Sequence, residues 1–395
     1  MNFKEIKIPR CKKFSGYKPC LSFKNCLVNG CQDENNETKI GVKILIISLD
    51  ALGNVLDNTA ILPAVKRKYP VSTVYWLTMP NAEKILFNNK YIDKIYAWTD
   101  EQRMILRNIE FDYLMNADKS VYACAFANEI NAKQKLGFLL NNDGKIIPAN
   151  DKAMYNYLMG NDDELKFRRN QKTGIEIIHE TFELDYRKDE YTLELTTDEK
   201  EFIAGYKNEI NYNPMKTYVG FNTGCSNLFP NKKMTIEQHI NLIGKFIKDE
   251  NLIVVLLGGK EDTVRNNVIF NSFSLEEKRK IINTPTTMGL RKGACFTDIC
   301  DMVITGDSFG MHLAIGLKKY VIAWFGLSCA AEIELYGRGE KLTPDGLQCS
   351  PCWKQTCPYN LECISMIDLK KIIRLVKDYS IHKNISPELT NKKTF

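Results

Sequence analysis

The sequence lacks the features that would place the chain in a membrane, outside the cell or on nucleic acid. No apolar run is long enough to span a bilayer, and the N-terminal residues lack the apolar core of a secretory signal, so a cytoplasmic protein is expected. Nothing resembles a nucleic-acid-binding module. The excess of positive charge is small, a formal net charge of +6, and the first residues carry much of it. We interpret it as weak attraction to anionic substrates or to a membrane surface, so peripheral contact with the inner membrane stays open.

The composition is that of a globular protein with more than one core. The 395 residues are 44% hydrophobic and 26% charged, which is too long a chain for a single ordinary core and fits two domains. Apolar runs of strand length alternate with helical patterns: strand 42–49 with helix 55–69, strand 72–77 with helix 81–88, and, after 214, strand 218–221 with helix 236–249. This alternation predicts an α/β fold with parallel sheets covered by helices on both faces.

The same pattern suggests domain limits. We expect the boundary between the two domains between Lys207 and Lys216. The predicted segments are a cysteine-containing N-terminal extension at 1–41, an N-terminal Rossmann-like domain at 42–210, a C-terminal Rossmann-like domain at 211–380 and a polar tail at 381–395.

Eight of the thirteen cysteines fall into two groups, one near each end of the chain. The C-terminal group reads CSPCWKQTCPYNLEC and contains Cys349, Cys352, Cys357 and Cys363. A C-x-x-C pair followed closely by two more cysteines can bring four thiolates to one ion, and a tetrahedral sulfur site suits zinc or iron. We predict a structural metal site here, because four thiolates leave no open position for substrate chemistry. The alternative is a group of reduced cysteines packed in a loop.

The N-terminal group is more loosely spaced and has no C-x-x-C pair. It consists of Cys11, Cys20, Cys26 and Cys31. Metal binding is the less favoured interpretation for this group, and in either case its role is structural. In a reducing cytoplasm thiols or metal ligands are expected rather than disulfides.

The most informative stretch is VITGDSFGMHLAIG at 303–316. Its apolar strand runs straight into Asp307 and Ser308 and then into a helix, whose first turn offers unpaired backbone N–H groups to an anion such as a diphosphate. Ligands of open parallel sheets bind at this edge, where strands end. Taken alone, however, the stretch favours the simpler interpretation that Asp307 or Ser308 is only a helix cap.

Four further loops are expected at strand ends, facing one cleft if the two domains oppose each other. Three of them, at 49–55, 111–119 and 256–261, carry carboxylate or glycine residues, which suit close backbone approach, acid–base chemistry or ribose binding. The loop at 220–233, GFNTGCSNLFPNKK, combines small hydroxyl residues with lysine, which suits binding of phosphate oxygens and stabilisation of a departing diphosphate.

These segments resemble glycosyltransferase family 9, the ADP-heptose heptosyltransferases. The resemblance is carried by ILIISLDALGNVLDNTAILPAVKRKYP, GFNTGCSNLFPNKK, VVLLGGKED and VITGDSFGMHLAIGLKKYVIAWFG, and runs from about residue 43 to residue 373. It implies a GT-B fold, in which two Rossmann-like domains face a central cleft, and an inverting, metal-independent transfer from an ADP-sugar donor.

The resemblance also implies roles for individual residues. Lys232 is similar to the lysine that contacts the phosphates of the sugar donor. Thr223 and Gly224 are similar to residues that donate hydrogen bonds to the same diphosphate. Glu261 is similar to the residue that contacts the ribose of the nucleotide. The loop of Asp307, Ser308, Phe309 and Gly310 matches the family's Asp-x-Gly-x-x-His motif, with His312 as its histidine. His312 also suits a buried, hydrogen-bonded core imidazole.

One position departs from the family. Asn54 stands in the loop at 49–55, on the acceptor side, where family members usually carry an aspartate, and an amide cannot accept a proton from an acceptor hydroxyl. Asp118 and Asp50 are the candidate bases in its place, and we favour Asp118. The base must lie on the face of the sugar opposite the leaving ADP.

The acceptor stays open. Transfer of a heptose-type sugar to a hydroxyl of lipopolysaccharide or another glycan or lipid-linked acceptor is favoured over a protein acceptor. A protein acceptor is used by a cysteine-bearing type of family member, which modifies autotransporter proteins. Members of that type form large oligomers around an iron-binding cysteine finger, so a homo-oligomer is also open here. A third interpretation, prompted by Asn54, is a nucleotide-sugar-binding module without transferase activity.

Overall fold

The computed structural model describes residues 6, 8–18, 20, 25–31 and 38–385, and these form two compact units. The N-terminal unit contains the described residues up to Asn161 together with Glu176–Asp189. The C-terminal unit contains Asp162–Ile175 together with the described residues from Glu190 onward. Each unit contains one six-stranded sheet.

The sheet of the N-terminal unit has the order β3-β2-β1-β4-β5-β6. Its strands are β1 (Val42–Ile47), β2 (Ser72–Thr78), β3 (Lys94–Ala97), β4 (Phe111–Asn116), β5 (Ala132–Leu140) and β6 (Ile146–Pro148). All pairs are parallel except β5 with β6. Every residue of β2 is buried, as expected for a parallel sheet covered on both faces.

The sheet of the C-terminal unit has the order β12-β11-β10-β7-β8-β9 and is parallel throughout. Its strands are β7 (Thr217–Asn222), β8 (Leu252–Leu257), β9 (Ile281–Asn283), β10 (Met302–Gly306), β11 (Tyr320–Trp324) and β12 (Gly339–Leu342). Because β7 and β10 are neighbours in register, the loops that follow them emerge side by side.

Helices connect the strands. The α-helices are α1 (Cys26–Asn29), α2 (Leu52–Asp57), α3 (Ile61–Lys68), α4 (Asp100–Arg107), α5 (Val121–Glu129), α6 (Met154–Leu158), α7 (Gly174–Thr181), α8 (Thr197–Glu209), α9 (Ile236–Phe246), α10 (Thr263–Asn271), α11 (Leu290–Ile299), α12 (Phe309–Gly316), α13 (Glu362–Ser365) and α14 (Leu369–Ile385). Short 3-10 turns occur at Asn58–Ala60, Glu83–Leu86, Asp151–Ala153, Pro230–Lys232, Lys260–Asp262, Glu277–Lys280 and Ala330–Glu332, and a π-helical turn at Leu165–Arg169. Not one of the helices in the described residues is both long and apolar enough to cross a membrane.

The predicted α/β class is confirmed, but two predicted helices of the N-terminal unit are wrong in detail. The helix expected at 55–69 is split into α2 and α3 by the 3-10 turn Asn58–Ala60, and Pro63 has no N–H with which to continue the α-helical ladder across that turn. The helix expected at 81–88 is only the 3-10 turn Glu83–Leu86. Asn88 adopts a left-handed conformation, φ 63°, which ends the turn.

The contacts divide the chain at 189, ahead of the boundary expected between Lys207 and Lys216. Helix α8 lies before the expected boundary but packs on α11, through the ion pair of Glu199 with Arg291 and a ring contact of Tyr206 with Phe296. It therefore belongs to the C-terminal unit, as does 162–175, so the expected limits 42–210 and 211–380 do not match the packing. Helix α14 includes the first residues of the expected tail at 381–395, and 386–395 lies outside the described residues.

The core of the C-terminal unit lies between its sheet and helices such as α9 and α14. Phe246 of α9 is 1% exposed and belongs to this core, whereas Leu275, in the connection after α10, is 86% exposed. The substitution Phe246→Ala should lower the free energy of unfolding of this unit by about 3–5 kcal/mol, because it removes buried apolar surface and leaves a cavity.

Amide hydrogen exchange of the β8 backbone measures this loss within the unit concerned. The control Leu275→Ala should change protection by no more than about 0.5 kcal/mol. Equal effects of the two substitutions would contradict the assignment of Phe246 to the core.

Candidate active site

The connection from β10 to α12 lies beside the end of β7. Asn222, the last residue of β7, is opposite Thr305 in the register. Its side-chain amide lies 3.0 Å from Thr305 Oγ1 and 2.9 Å from Ser308 Oγ, both of which can accept its hydrogen bonds. Ser308 occupies the N-cap position of α12, but its side chain makes no capping hydrogen bond to the helix. The alternative that Ser308 is only a side-chain cap is therefore not supported. The N–H groups of Met311 and His312 donate to the Ser308 carbonyl, and those of Phe309 and Gly310 are left for another acceptor.

Two glycines allow this close packing. A Cβ at Gly310 would lie 2.4 Å from the Asn222 side chain, and one at Gly224 would lie 2.1 Å from the Asp262 carboxylate. Any larger residue would displace these polar groups. The glycines of the two predicted motifs are thus explained by side chains that approach from neighbouring strands.

Lys232 and Asp307 form an ion pair at the strand ends. Lys232 Nζ lies 2.6 Å from Asp307 Oδ2, and the side chains are only 13% and 14% exposed. The backbone of Lys232 is held in place, because Trp324 Nε1 donates a hydrogen bond to its carbonyl oxygen at 2.8 Å. Burial raises the pKa of Asp307, but the neighbouring ammonium outweighs burial and the pKa lies below its usual value. Asp307 is therefore ionised at neutral pH.

His312 lies on the buried side of α12 and is neutral. Burial lowers the pKa of its imidazole to about 4, although the Asp307 carboxylate acts in the opposite direction. Its Nδ1 lies 3.1 Å from the hydroxyl of Tyr191, whose ring stacks on the imidazole. His312 is thus the hydrogen-bonded core histidine that the sequence allowed. It also lies close enough to Asp307 to lower the pKa of that carboxyl group.

Thr223 and Asp262 lie on the β8 side of the same region. Thr223 Oγ1 donates a hydrogen bond to Asn266 Oδ1 at 2.5 Å, so the hydroxyl is held in the interior. Glu261 is exposed, whereas the next residue, Asp262, is buried and accepts a hydrogen bond from the Gly259 N–H at 3.0 Å. Burial raises the pKa of Asp262. The sequence motif points to Glu261 and not to Asp262, since adjacent carboxylates look alike until the turn that buries one of them is known.

The candidate bases lie in the N-terminal unit. Asp118 Oδ2 accepts hydrogen bonds from the backbone N–H groups of Leu49 (3.1 Å) and Asp50 (3.3 Å), and Asp118 Oδ1 accepts one from Ser120 (2.7 Å). Asp118 therefore holds the loop after β1 in place. Asn54 is exposed in the first turn of α2, in the same loop region.

Asp50 differs from Asp118 in its surroundings. Its side chain is exposed, and no hydrogen bond of its carboxylate is seen within the part of the chain that the structure describes. Desolvation raises the pKa of Asp50, and the negative charge of Asp118 raises it further. The two candidates are thus close enough to interact, and Asp50 is the more accessible carboxylate.

The C-terminal cysteines line one cavity. Cys349, Cys352, Cys357 and Cys363 all contribute to a cavity of about 30 Å³, roughly the volume of one water molecule. Burial raises the pKa of Cys363 to about 11, and Cys352, Cys357 and Cys349 add to the effect, so the four sulfurs lie near one another. Across the described ranges, no three Cys, His, Asp or Glu side chains are arranged closely enough to bind an ion. The donor set suits zinc or iron, but the structure contains thiols around a cavity and not a formed metal site.

The N-terminal cysteines are arranged differently. Cys11, Cys26 and Cys31 line a wider cavity of about 390 Å³, whereas Cys20 is exposed and not part of the lining. This open arrangement agrees with the looser spacing in the sequence.

Comparisons with known proteins agree with the fold and the motifs. The family model described as glycosyltransferase family 9 (heptosyltransferase) matches residues 102–362. Lipopolysaccharide heptosyltransferase 1 of Campylobacter coli is 24% identical over 360 residues, which cover 85% of this chain and 98% of that protein.

Solved structures show the same fold. The ADP-heptose LPS heptosyltransferase II of E. coli superimposes with a TM-score of 0.64 at 16% identity, covering 87% of this chain and 99% of that one. A glycosyl transferase family 9 protein from Veillonella parvula gives a TM-score of 0.65 at 16% identity, covering 86% and 97%. The two α/β units are the two Rossmann-like domains of a GT-B protein. The chain belongs to glycosyltransferase family 9, the heptosyltransferase family, and is a glycosyltransferase.

Proposed function

We propose that the chain transfers a heptose-type sugar from an ADP-sugar to a hydroxyl of lipopolysaccharide or another surface glycan. The observation that carries this proposal is the Lys232–Asp307 pair beside the N-terminus of α12. A lysine ammonium has three N–H donors, so its contact with Asp307 leaves donors for a phosphate oxygen. The ADP-heptose donor and the lipopolysaccharide acceptor are those named for relatives such as the E. coli and Campylobacter enzymes.

In the proposed reaction the acceptor oxygen attacks the anomeric carbon as the bond from that carbon to the diphosphate oxygen breaks. Attack from the face opposite ADP inverts the configuration, as the family resemblance implies. Lys232 and the N–H groups of Phe309 and Gly310, at the start of α12, stabilise the negative charge that develops on the departing diphosphate. No metal ion is assigned a part in this step. Thr223 and Gly224 shape the loop beside the diphosphate, and we keep Glu261 as the proposed partner of the ribose hydroxyls, since its exposed carboxylate is accessible to them.

We propose Asp50 as the general base and Asp118 as the residue that positions it. This replaces the preference for Asp118, because both oxygens of Asp118 already accept backbone hydrogen bonds that hold the loop after β1. Asp50 has a raised pKa and an accessible carboxylate, as proton abstraction requires. Asn54, which cannot act as a base, would contact the bound substrates as a hydrogen-bond partner only.

The four C-terminal cysteines are proposed to hold a structural zinc or iron ion. Cys349, Cys352, Cys357 and Cys363 supply a complete sulfur donor set around one cavity. A bound cation would lower the thiol pKa values and stabilise the loop, but it would take no part in sugar transfer.

The donor-site prediction concerns Lys232. The substitution Lys232→Ala should raise the Kd for ADP by about 10- to 100-fold, because a charge-assisted hydrogen bond to the diphosphate is lost. Adenosine, which lacks the diphosphate, should bind the wild type and the variant equally. Isothermal titration calorimetry measures both ligands.

Two variants control this experiment. Lys232→Arg keeps the charge and should retain much of the ADP affinity, and Lys245→Ala removes an exposed lysine of α9 and should change nothing. If ADP-heptose and other nucleotide sugars fail to raise the melting temperature of the wild-type protein, the proposed donor site is wrong, since a ligand of the native state must stabilise it.

The base prediction uses the pH dependence of kcat/KM for ADP release from ADP-heptose with a lipopolysaccharide acceptor. Asp50→Asn should lower kcat by about 100- to 10,000-fold. In the wild type, activity should fall as the pH drops through the raised pKa of Asp50, at a higher pH than for an ordinary aspartate. Asp118→Asn removes a neighbouring negative charge, so the acidic limb of that variant should move to lower pH.

The opposite pattern, with Asp118→Asn inactive and Asp50→Asn active, would restore Asp118 as the base. ADP release with no lipopolysaccharide product but with sugar attached to a serine hydroxyl would identify a protein acceptor instead. Binding of ADP-heptose without turnover on any acceptor would identify a binding module.

The metal prediction is tested by elemental analysis of protein purified without chelators. We expect about one zinc or iron ion per chain at the cysteine cavity, and Cys352→Ser should reduce that amount. Cys295→Ala changes a buried cysteine of α11 outside the cavity and should leave the metal content unchanged. Unchanged metal content in Cys352→Ser would show that these cysteines bind none.

A further inference from the structure

Trp353, within the C-terminal cysteine segment, lies against the donor-site lysine. Lys232 Nζ is 4.8 Å from the centroid of the Trp353 ring and 5.4 Å from that of Phe229. The two rings contact each other with centroids 5.0 Å apart. The ammonium group therefore lies within reach of two aromatic rings as well as the Asp307 carboxylate.

These contacts restrict the lysine. A lysine has a flexible four-carbon chain, and the ammonium is attracted to the face of an aromatic ring, most strongly to tryptophan. The Lys232 side chain is only 13% exposed, so water weakens the attraction less than it would at the surface. Trp353 itself is 42% exposed. Burial of apolar surface therefore does not by itself explain why the indole lies where it does.

The backbone around Trp353 is held in an unusual conformation. Its φ is 52°, in the left-handed region that bulky residues rarely adopt. The N–H groups of Cys352 and Trp353 both donate hydrogen bonds to the Leu327 carbonyl, at 3.1 and 2.8 Å. Such conformations persist only where the surroundings hold them, and they concentrate at functional sites.

A second contact joins the cysteine segment to the lysine loop. The side-chain amide of Asn231, the residue before Lys232, donates a hydrogen bond to the carbonyl of Lys354, the residue after Trp353, at 2.9 Å. A side-chain-to-backbone hydrogen bond thus joins the two segments next to the ring contact. This hydrogen bond and the ring contact together set the position of the Trp353 indole relative to the Lys232 ammonium.

We infer that Trp353 is a positioning residue for donor binding, which holds the Lys232 ammonium in the orientation that meets the donor diphosphate. The inference rests on the proposed function, in which Lys232 contacts that diphosphate. It assigns the segment Cys352-Trp353 a role in donor affinity beyond the structural role of its cysteines.

The test measures the affinity of the full-length protein for ADP and for adenosine by calorimetry. Trp353→Leu should weaken ADP binding by about 3- to 30-fold, the range expected for a lost cation–π contact. Adenosine binding should not change. Trp353→Phe keeps an aromatic face and should recover most of the ADP affinity. Tyr359→Leu, which removes another exposed ring of the same segment, is the matched control and should bind ADP as the wild type does.

A double-mutant cycle separates positioning from a general effect on folding. In the Lys232→Ala background, Trp353→Leu should cause no further loss of ADP affinity, because the ammonium it positions is gone. With ADP-heptose as substrate, Trp353→Leu should raise KM more than it lowers kcat.

Three results would overturn the inference. These are unchanged ADP affinity in Trp353→Leu, an equal loss of adenosine affinity, and the same loss of ADP affinity in the Lys232→Ala background as in the wild type. Failure of the wild type to bind ADP is a different result, because it contradicts the proposed donor site itself and the role inferred for Trp353 falls with it.

Discussion

The ion pair between Lys232 and Asp307 is the interaction on which the candidate donor site depends. Two side chains this far removed from water would be unstable as separate charges, so each requires the other. The partners come from loops that follow β7 and β10, which are adjacent parallel strands. Parallel pairing therefore brings together at one edge of the sheet two charges that are distant in sequence, and the short 3-10 turn before Lys233 points the lysine toward Asp307.

The surroundings of this pair favour an anion. His312 is neutral because it is buried, and the hydroxyl of Ser308 accepts a hydrogen bond from Asn222 and does not cap its own helix. The helix start, the spare N–H donors of Lys232 and the closely packed glycines leave a region rich in donors. A diphosphate would meet these requirements, because its charged oxygens form stronger hydrogen bonds to an ammonium than neutral acceptors do.

In the N-terminal unit, Asp50 and Asp118 are chemically identical carboxylates that have different surroundings. Both oxygens of Asp118 accept hydrogen bonds from backbone N–H groups. Desolvation raises the pKa of Asp50, and the charge of Asp118 raises it further. Paired carboxylates in such different surroundings commonly have different roles in acid–base chemistry. The loss of the usual aspartate at Asn54 is compatible with catalysis if this pair performs its task.

The α/β class, most strand positions and the residues at the ends of β7 and β10 follow from the sequence, because continuous apolar runs and the turns that end them are local features. The sequence also identified Lys232, Asp307 and His312 as neighbours through motif resemblance. It did not determine that Asp118 is occupied by backbone hydrogen bonds, that Asp262 and not Glu261 is the buried carboxylate, that α8 packs with the C-terminal unit, or that Trp353 lies against Lys232. Those features were decided only by the tertiary structure, since burial and partner choice depend on which distant segments pack together and no local pattern records that.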